Sequence, residues 1–382
     1  MCGICGEWSP FGAEQASLDR MNAALVHRGP DDDGSAVLGE AGLAMRRLSI
    51  IDLARGHQPI ANEDSTAWIV FNGEIYNHQE LRRGLIERGH RFRTDSDTES
   101  ILHLYEEKGE RVVDDLRGMF AFAIWDSRRR KLLLARDRFG QKPLFWRFDG
   151  KRFLFASEIK SILAVGAHPE IDLRSLDEYL TLRFISSPRT MFAGIQKLPP
   201  AHLLVLDASG EEPKVEVRRY WQLRFEPKKS ISEADAVEEG RFRIREAIES
   251  HLISDVPVGA FLSGGMDSSL VVAMMADILS KGGGERFKTF SIGVEAQDFN
   301  ELPFAKQVAE HCGTDHHEEM VWPDMVQLLP KMVYHLDEPS DPIAACMYHS
   351  AALAARHVKV VLTGDGGDEI FAGYDRYFGF RW

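Results

Sequence analysis

At about Lys228 the hydrophobic rhythm of this chain changes, and one sheet cannot carry both rhythms. Before that point short apolar or alternating runs, WIVFN at 68 to 72, MFAFAIW at 119 to 125, KLLLAR at 131 to 136 and RFLFAS at 152 to 157, are separated by Gly, Asp and Pro. Helical spacing intervenes at Gln79 to Arg88 and Thr98 to Lys108. This mixture predicts sheets covered by helices, an α+β domain. Beyond it, VPVGAFL, RFKTFSIGV and VKVVLTG are apolar, β-branched runs joined by longer helical segments, the pattern of an α/β domain with a parallel sheet. The stretch EPKKSISEAD, polar and containing Pro227, can supply no core face. It places the first domain at 1–226, a linker at 227–235 and the second domain at 236–382.

Composition removes several classes of function. Fifty-nine acidic against 46 basic residues give a net charge of −13, a field that repels phosphate backbones, and no basic cluster offsets it. Nucleic acid is therefore not expected as a partner. The longest apolar run, Gly118 to Trp125, is far short of the roughly 18 residues a membrane span needs. The start, MCGICGEWSPFGAE, lacks a basic segment followed by an apolar one, so no membrane is expected and a cytoplasmic address is the default. Four cysteines are too few for a disulfide scaffold. Cys2 and Cys5 form a CxxC, but Cys312 and Cys346 stand alone, so a four-cysteine zinc site lacks its second pair.

Cys2 has a chemistry of its own. Trimming of Met1 would leave a thiol and a free α-amine on one residue, and an amine of pKa ~8 can take the thiol proton directly or through a water. Acyl transfer so begun needs oxyanion donors and substrate anchors. Asn72 and Gly73, at the end of an apolar strand, offer a side-chain amide and a backbone N–H. A free amino acid as substrate brings a carboxylate and an ammonium, which Arg47 and Asp97 can pair. Without a ligand, NGE reads instead as a hairpin turn, Arg47 as a surface side chain and Asp97 as a helix cap.

MCGICG, HRGPDD (27 to 32), RLSIID (47 to 52), NGEIYN (72 to 77) and SDTE (96 to 99) together resemble the class II glutamine amidotransferases, which are N-terminal-nucleophile glutaminases built of stacked antiparallel sheets with helices. The resemblance continues through RDRFGQKPLF (136 to 145) and ASEIKSIL (156 to 163). It implies that Cys2 is the nucleophile, that Asn72 and Gly73 form the oxyanion hole, and that Arg47, Glu74 and Asp97 hold glutamine. Cys5 receives no role.

A second constellation lies past the boundary. SGGMDSS at 263 to 269 follows VPVGAFL and precedes a segment whose apolar residues, among them Leu270, Val271, Met274 and Ile278, recur at three and four. Strand, glycine turn and helix make an anion site: Gly264 and Gly265 let backbone approach a phosphate, and Ser263, Ser268 and Ser269 add hydroxyls at the positive helix end. The Walker pattern GxxxxGK[ST] is absent. Asp267 would repel phosphates unless a divalent cation bridges them, so Mg²⁺ is predicted. TGDGGDE at 363 to 369 follows VKVVL and, in an open parallel sheet, its Asp368 could share that metal with Asp267. A solvated glycine-rich turn is the other reading.

These segments resemble the PP-loop ATP pyrophosphatases, which cleave ATP between the α and β phosphates and adenylate a carboxylate or carbonyl. The resemblance implies ATP and Mg²⁺, held by Ser263, Gly264, Gly265, Asp267 and Ser268 with Asp368, Thr363 and Gly364, and an adenine beside the backbone near Ile292. A glutaminase followed by a PP-loop domain is similar to the glutamine-hydrolysing asparagine synthetases. That similarity implies glutamine, aspartate and ATP as substrates, a glutamyl thioester, a β-aspartyl-AMP intermediate and a homodimer. Asp365 stands where the family usually has Glu, which leaves other acceptors open: a sugar acid, a peptide carboxylate or a β-lactam precursor. Family members continue past GYDRYF into a helical region, whereas this sequence ends at Trp382, so glutaminase activity alone is a further alternative. Intact-mass measurement of active protein is expected to show Met1 removed; a retained Met1 would leave Cys2 without its amine.

Overall fold

The computed structural model describes the chain except residues 167–168, 229, 281–285, 296–299, 323, 340–342 and 381–382. It divides into one compact unit of Met1–Glu226 with Val333–Ser340 and a second of Pro227–Met332 with Asp341–Trp382.

The first unit runs β1 (Gly3–Trp8), α1 (Gln15–Ala23), β2 (Asp32–Leu38), β3 (Ala41–Arg47), β4 (Ile60–Ala61), β5 (Ala67–Ile75), α2 (His78–Glu87), α3 (Asp97–Lys108), β6 (Gly118–Asp126), β7 (Lys131–Arg136), β8 (Phe145–Phe148), β9 (Phe153–Ala156), α4 (Ile159–Leu163), α5 (Leu173–Leu182), β10 (Gln196–Lys197), β11 (His202–Asp207) and β12 (Lys214–Arg219). Its strands form two six-stranded sheets, ordered β10-β8-β9-β1-β3-β2 and β12-β11-β7-β6-β5-β4. Neighbouring strands in both are antiparallel.

Side-chain alternation turns these sheets into four layers. In β6, Phe120, Phe122 and Ile124 pack with Ile101, Leu102 and Tyr105 of α3, while Ala121, Ala123 and Trp125 face Trp8, Leu43 and Phe155 of the other sheet. The far side of that other sheet, with Cys5, Ala44 and Ala156, packs on Leu18 and Met21 of α1 and on Ile159 and Ile162 of α4. A strand buried on both faces has no polar alternation to show, which is why MFAFAIW reads as one apolar run. Cys5 is a core residue, its thiol pushed up to about 12 by burial. Residues of the return segment complete this unit: the Asp337 carboxylate accepts the Ile159 N–H at 2.6 Å and the Glu338 carboxylate the Met191 N–H at 2.8 Å.

The second unit contains α6 (Glu233–His251), β13 (Val258–Phe261), α7 (Met266–Ser280), β14 (Lys288–Val294), α8 (Leu302–Cys312), β15 (Asp315–Val321), α9 (Met325–Leu336, its last turn in the first unit), α10 (Ile343–Ala355), β16 (Val360–Leu362) and α11 (Gly367–Phe371). The four strands are parallel in the order β15-β14-β13-β16. Chain order reverses beside β13, whose neighbours are β14 on one side and β16 on the other, so the turns that leave β13 and β16 lie together at the carboxyl ends of adjacent strands. Two local features depart from the sequence reading. Ser232 caps α6, accepting the Asp235 N–H at 3.2 Å, so a helix begins within the stretch read as linker. DHHEEMV, a segment to which the sequence reading assigned no element, forms β15 on a seven-pair register with β14 from Lys288↔Asp315 to Val294↔Val321. Among the described residues no helix is long and apolar enough to cross a membrane.

Close approach of β1 to its neighbours rests on Gly6, where an added Cβ would lie 2.4 Å from the Gly42 carbonyl oxygen and 2.5 Å from the Phe155 ring. Neither neighbour can swing away. Gly6→Ala is expected to destabilise the protein by about 1–3 kcal/mol, seen as a lower urea midpoint at unchanged slope.

Candidate active sites

The first site forms where β1 begins. Cys2 stands one residue before the strand, and the Gly3↔Arg46 register sets it beside Leu48. Its sulfur accepts the Leu48 N–H at 3.4 Å and the thiol donates to the Leu48 carbonyl at 3.7 Å. Arg28 donates from Nε to the Cys2 carbonyl at 2.8 Å, and Glu158 fixes Arg28 at 2.8 Å and His27 at 2.9 Å. Burial raises the Cys2 thiol, whereas it lowers the Met1 amine from 8.0 to about 6. With Met1 attached, the Cys2 nitrogen is an amide and no base.

NGE is strand rather than turn. Residues 71, 73 and 75 of β5 point their N–H groups the same way, as alternation requires. The Phe71 N–H is taken by Gln58 Oε1 at 2.7 Å and the Ile75 N–H by Asp97 Oδ2 at 2.9 Å. Opposite Gly73 lies Phe120, whose N–H and carbonyl both engage Asp137, so the Gly73 N–H is aimed off the strand edge between two satisfied neighbours. A side chain at Gly73 would collide with the Met119 carbonyl oxygen at 2.1 Å. Next to it, Asn72 is 1% exposed, and its Nδ2 is buried with no hydrogen-bond partner among the described residues. An orphaned amide donor of this kind costs about 1–3 kcal/mol and persists where a ligand oxygen completes it.

Arg47 is no surface residue. It is buried at the end of β3, and its Nη2 donates to the Ile51 and Asp52 carbonyls, both at 2.8 Å, which fixes the guanidinium. Nor is Asp97 the cap of α3: Ser96 is, by accepting the Thr98 N–H, which frees Asp97 to hold β5 and to face Glu74. Glu74 lies well above the usual carboxylate range, through desolvation first and the Asp97 charge second, and burial also raises Asp97. Lys142, Arg47 and the terminal amine are the cations that partly offset this repulsion at Glu74.

Sequence reading missed Lys142, although it lies in the RDRFGQKPLF motif. Asp137 takes four backbone N–H groups, from Phe120, Phe139, Gln141 and Lys142, and Arg136 donates to the Lys142, Gly140 and Leu198 carbonyls at 2.7 Å each. This clamp delivers Lys142 into the site, 7% exposed and within electrostatic reach of Glu74, Cys2 and Arg28, its pKa lowered by burial. The motif carried the signal; its neighbours in space did not show in the sequence.

In the second unit, the turn after β13 takes Gly264 to a φ of +87°, with Ala305 N only 2.6 Å from the place of a Cβ, so glycine alone fits. Ser263 and Ser268 share a 2.9 Å hydroxyl contact, and the Gly265 N–H donates to Ser263 Oγ. The first helical bond of α7 is Ser269 N–H to Gly265 carbonyl, so the N–H groups of Met266 and Asp267 precede it at the positive helix end. Ser269 Oγ is buried with no hydrogen-bond partner among the described residues. The turn after β16 comes against this one. A Cβ on Gly364 would lie 2.7 Å from Ser268 N, and one on Gly367 would lie 2.4 Å from the Asp267 carboxyl carbon, so Asp267 sits over a glycine floor one residue from Asp368. These hard oxygen donors beside a phosphate-type turn fit Mg²⁺. Thr363 Oγ1 donates to Asp365 Oδ2 at 2.9 Å, which folds that carboxylate back on its own turn. Ile292 lies in β14, paired with Glu319.

Comparison with known proteins agrees with this division. A family profile described as Glutamine amidotransferase domain matches residues 1–221, and one described as Asparagine synthase matches 239–381. Asparagine synthetase [glutamine-hydrolyzing] 1 of Bacillus subtilis is 40% identical over 99% of this chain and 59% of its own length. Amidase chyE of Penicillium rubens is 35% identical over 99% of this chain and 60% of its own. A Methanocaldococcus jannaschii relative, grouped by name with the asparagine synthetases, is 37% identical over 98% of this chain and 76% of its own. The chain thus spans about three fifths of the first two.

The raised Glu74 carboxyl yields a check on this geometry. A carboxyl held above its unfolded pKa binds its proton more tightly when folded, so its penalty is absent below the unfolded pKa and grows as pH rises toward the folded one. Glu74→Gln is expected to raise Tm by about 2–4 °C per kcal/mol relieved, with a gap over the parent that widens from pH 4.5 upward. A gap that narrows on that path contradicts the assigned repulsion.

Proposed function

This chain belongs to the family of glutamine-hydrolysing asparagine synthetases, and on that footing we propose that it transfers the amide nitrogen of glutamine to the β-carboxyl of aspartate in an ATP-driven reaction. The observation that carries this reading is the orphaned, buried amide of Asn72, the residue before Gly73, in the unit that holds Cys2.

Trimming of Met1 would move the terminal amine to Cys2. An α-amine there, with an ordinary pKa of ~8, would serve as the base that takes the thiol proton. The thiolate attacks the side-chain carbonyl of glutamine, whose carboxylate is paired by Arg47 and whose ammonium is paired by Asp97 and Glu74. Asn72 Nδ2 and the Gly73 N–H receive the oxyanion. Ammonia leaves, and water releases glutamate from the thioester. Lys142 supplies positive charge near Glu74 when glutamine is absent.

In the second unit the turn at 263 to 269 would hold the ATP phosphates with the α7 N-terminus and the Ser263 and Ser268 hydroxyls, with Thr363 and Gly364 alongside and the adenine near Ile292. Mg²⁺, held by Asp267 and Asp368, would neutralise charge on the phosphates. The aspartate β-carboxylate displaces pyrophosphate to form β-aspartyl-AMP, and ammonia then displaces AMP. Asp365, in the acidic turn after β16, would stand beside the reacting groups.

The likeness to Amidase chyE favours a second reading, in which the same chemistry serves another carboxylate acceptor. Pyrophosphate release from Mg-ATP, measured with and without aspartate, on this chain and on one extended to the relatives' length, separates the two. Cys2→Ala is expected to lower glutamine-driven product at least about a thousandfold while ammonia-driven product persists. Equal loss of both would refute the division of labour between the units.

A further inference from the structure

Away from the Cys2 site, on the open side of α3, four side chains from three separate segments converge. Glu63 comes from the loop between β4 and β5, His90 from the connection between α2 and α3, and His103 and Glu106 from one face of α3 at a spacing of three. One ligand atom from each lies within 4.8 Å of every other. His103 Nδ1 is 2.8 Å from Glu106 Oε2 and 3.6 Å from Glu63 Oε2, and His90 Nδ1 is 3.8 Å from Glu63 Oε1 and 3.6 Å from Glu106 Oε2. A tetrahedron with metal–ligand bonds of ~2.0–2.1 Å has edges of roughly 3.3–3.4 Å, inside the span between the 2.8 Å contact and the 4.8 Å limit of the four atoms.

The groups behind the four atoms are those a metal centre has. His90 Nε2 bonds Glu107 Oε1 at 3.2 Å and His103 Nε2, which makes no hydrogen bond among the described residues, lies 3.5 Å from Glu99 Oε1, so a carboxylate stands near the outer nitrogen of each ring while both Nδ1 atoms approach the two ligand carboxylates. Glu99 is itself fixed by the Arg93 and Thr94 N–H groups. The ligand carboxylates are held too: Glu63 Oε1 accepts the Arg91 N–H at 3.1 Å, and Glu106 Oε1 accepts from Asn62 Nδ2 at 2.8 Å. His103 is fully buried, and His90 and Glu106 are partly open to solvent, which provides an entry path.

We propose that Glu63, His90, His103 and Glu106 form a four-coordinate site for a divalent transition metal of the zinc type. Two imidazole nitrogens and two carboxylate oxygens suit that borderline ion better than Mg²⁺ or Ca²⁺, which prefer all-oxygen sets. Four protein ligands leave no open position, so the site is structural. It ties the middle of α3, whose first residue is Asp97, to the two loops that flank it.

The test uses the full chain carrying Cys2→Ala, stripped with chelator and reloaded with zinc or cobalt. The expected result is one tightly held equivalent of zinc after gel filtration, and a cobalt form with visible bands of four-coordinate geometry and no thiolate charge-transfer band. His90→Ala combined with Glu106→Gln, both at partly exposed positions, should weaken binding by more than the roughly 10–100-fold that loss of an outer-shell partner costs. Undiminished zinc in a double variant that still melts cooperatively, a thiolate band in the cobalt form, or no zinc retained by the parent at micromolar concentration would each overturn the assignment. The last outcome would mark the cluster as imidazoles and carboxylates held together by protons alone.

Discussion

The face-to-face packing of two six-stranded sheets around Trp8, Trp125, Phe153 and Phe155 is the constraint from which the first unit follows. With both inner faces apolar and both outer faces covered by helices, each central strand is locked in register, because a slip of one residue would exchange its two buried surfaces. That lock places the start of β1 against the end of β3, and hence the Cys2 sulfur against Leu48. It also carries Asn72 and Gly73 on β5 at fixed height.

On this rigid frame the site keeps groups that folding alone would not favour. An amide donor without a partner, a Glu74 carboxyl raised by burial and by Asp97, an Asp97 carboxyl raised by burial and a lysine lowered by burial all oppose stability. In the proposed reaction a zwitterionic substrate would offset two of these penalties, its ammonium meeting the carboxyls and its developing oxyanion the amide. The Arg136 and Asp137 clamp shows the same logic one step out: a loop is made rigid by its own backbone bonds so that Lys142 can remain where it is disfavoured.

The second unit solves a different problem with less burial. Its parallel sheet brings two glycine-rich turns to the same end, and glycine is needed because each turn's backbone comes against the facing turn. Gly264 bends the first turn and Gly367 leaves room beside Asp267, so both positions answer to a neighbour distant in sequence.

How much of this could be read beforehand depended on whether the information was local. Strand and helix rhythm, the glycine turn ahead of α7 and the polar residues of NGEIYN and SDTE are properties of short segments, and they established the two fold classes and most of the candidate residues. Arg47 and Asp97 could be picked out, but whether they were buried or superficial could not, because exposure depends on what packs above them. The polar strand β15 was hidden because its conformation is imposed by β14, and Lys142 because its importance lies in proximity to Glu74. Glu63, His90, His103 and Glu106 carry no common motif at all. The sequence by itself determined which segments become strands, helices and phosphate-type turns, since those preferences act over a few residues. Only the tertiary structure decided which charged groups are buried together, because that depends on packing between segments that the chain order keeps apart.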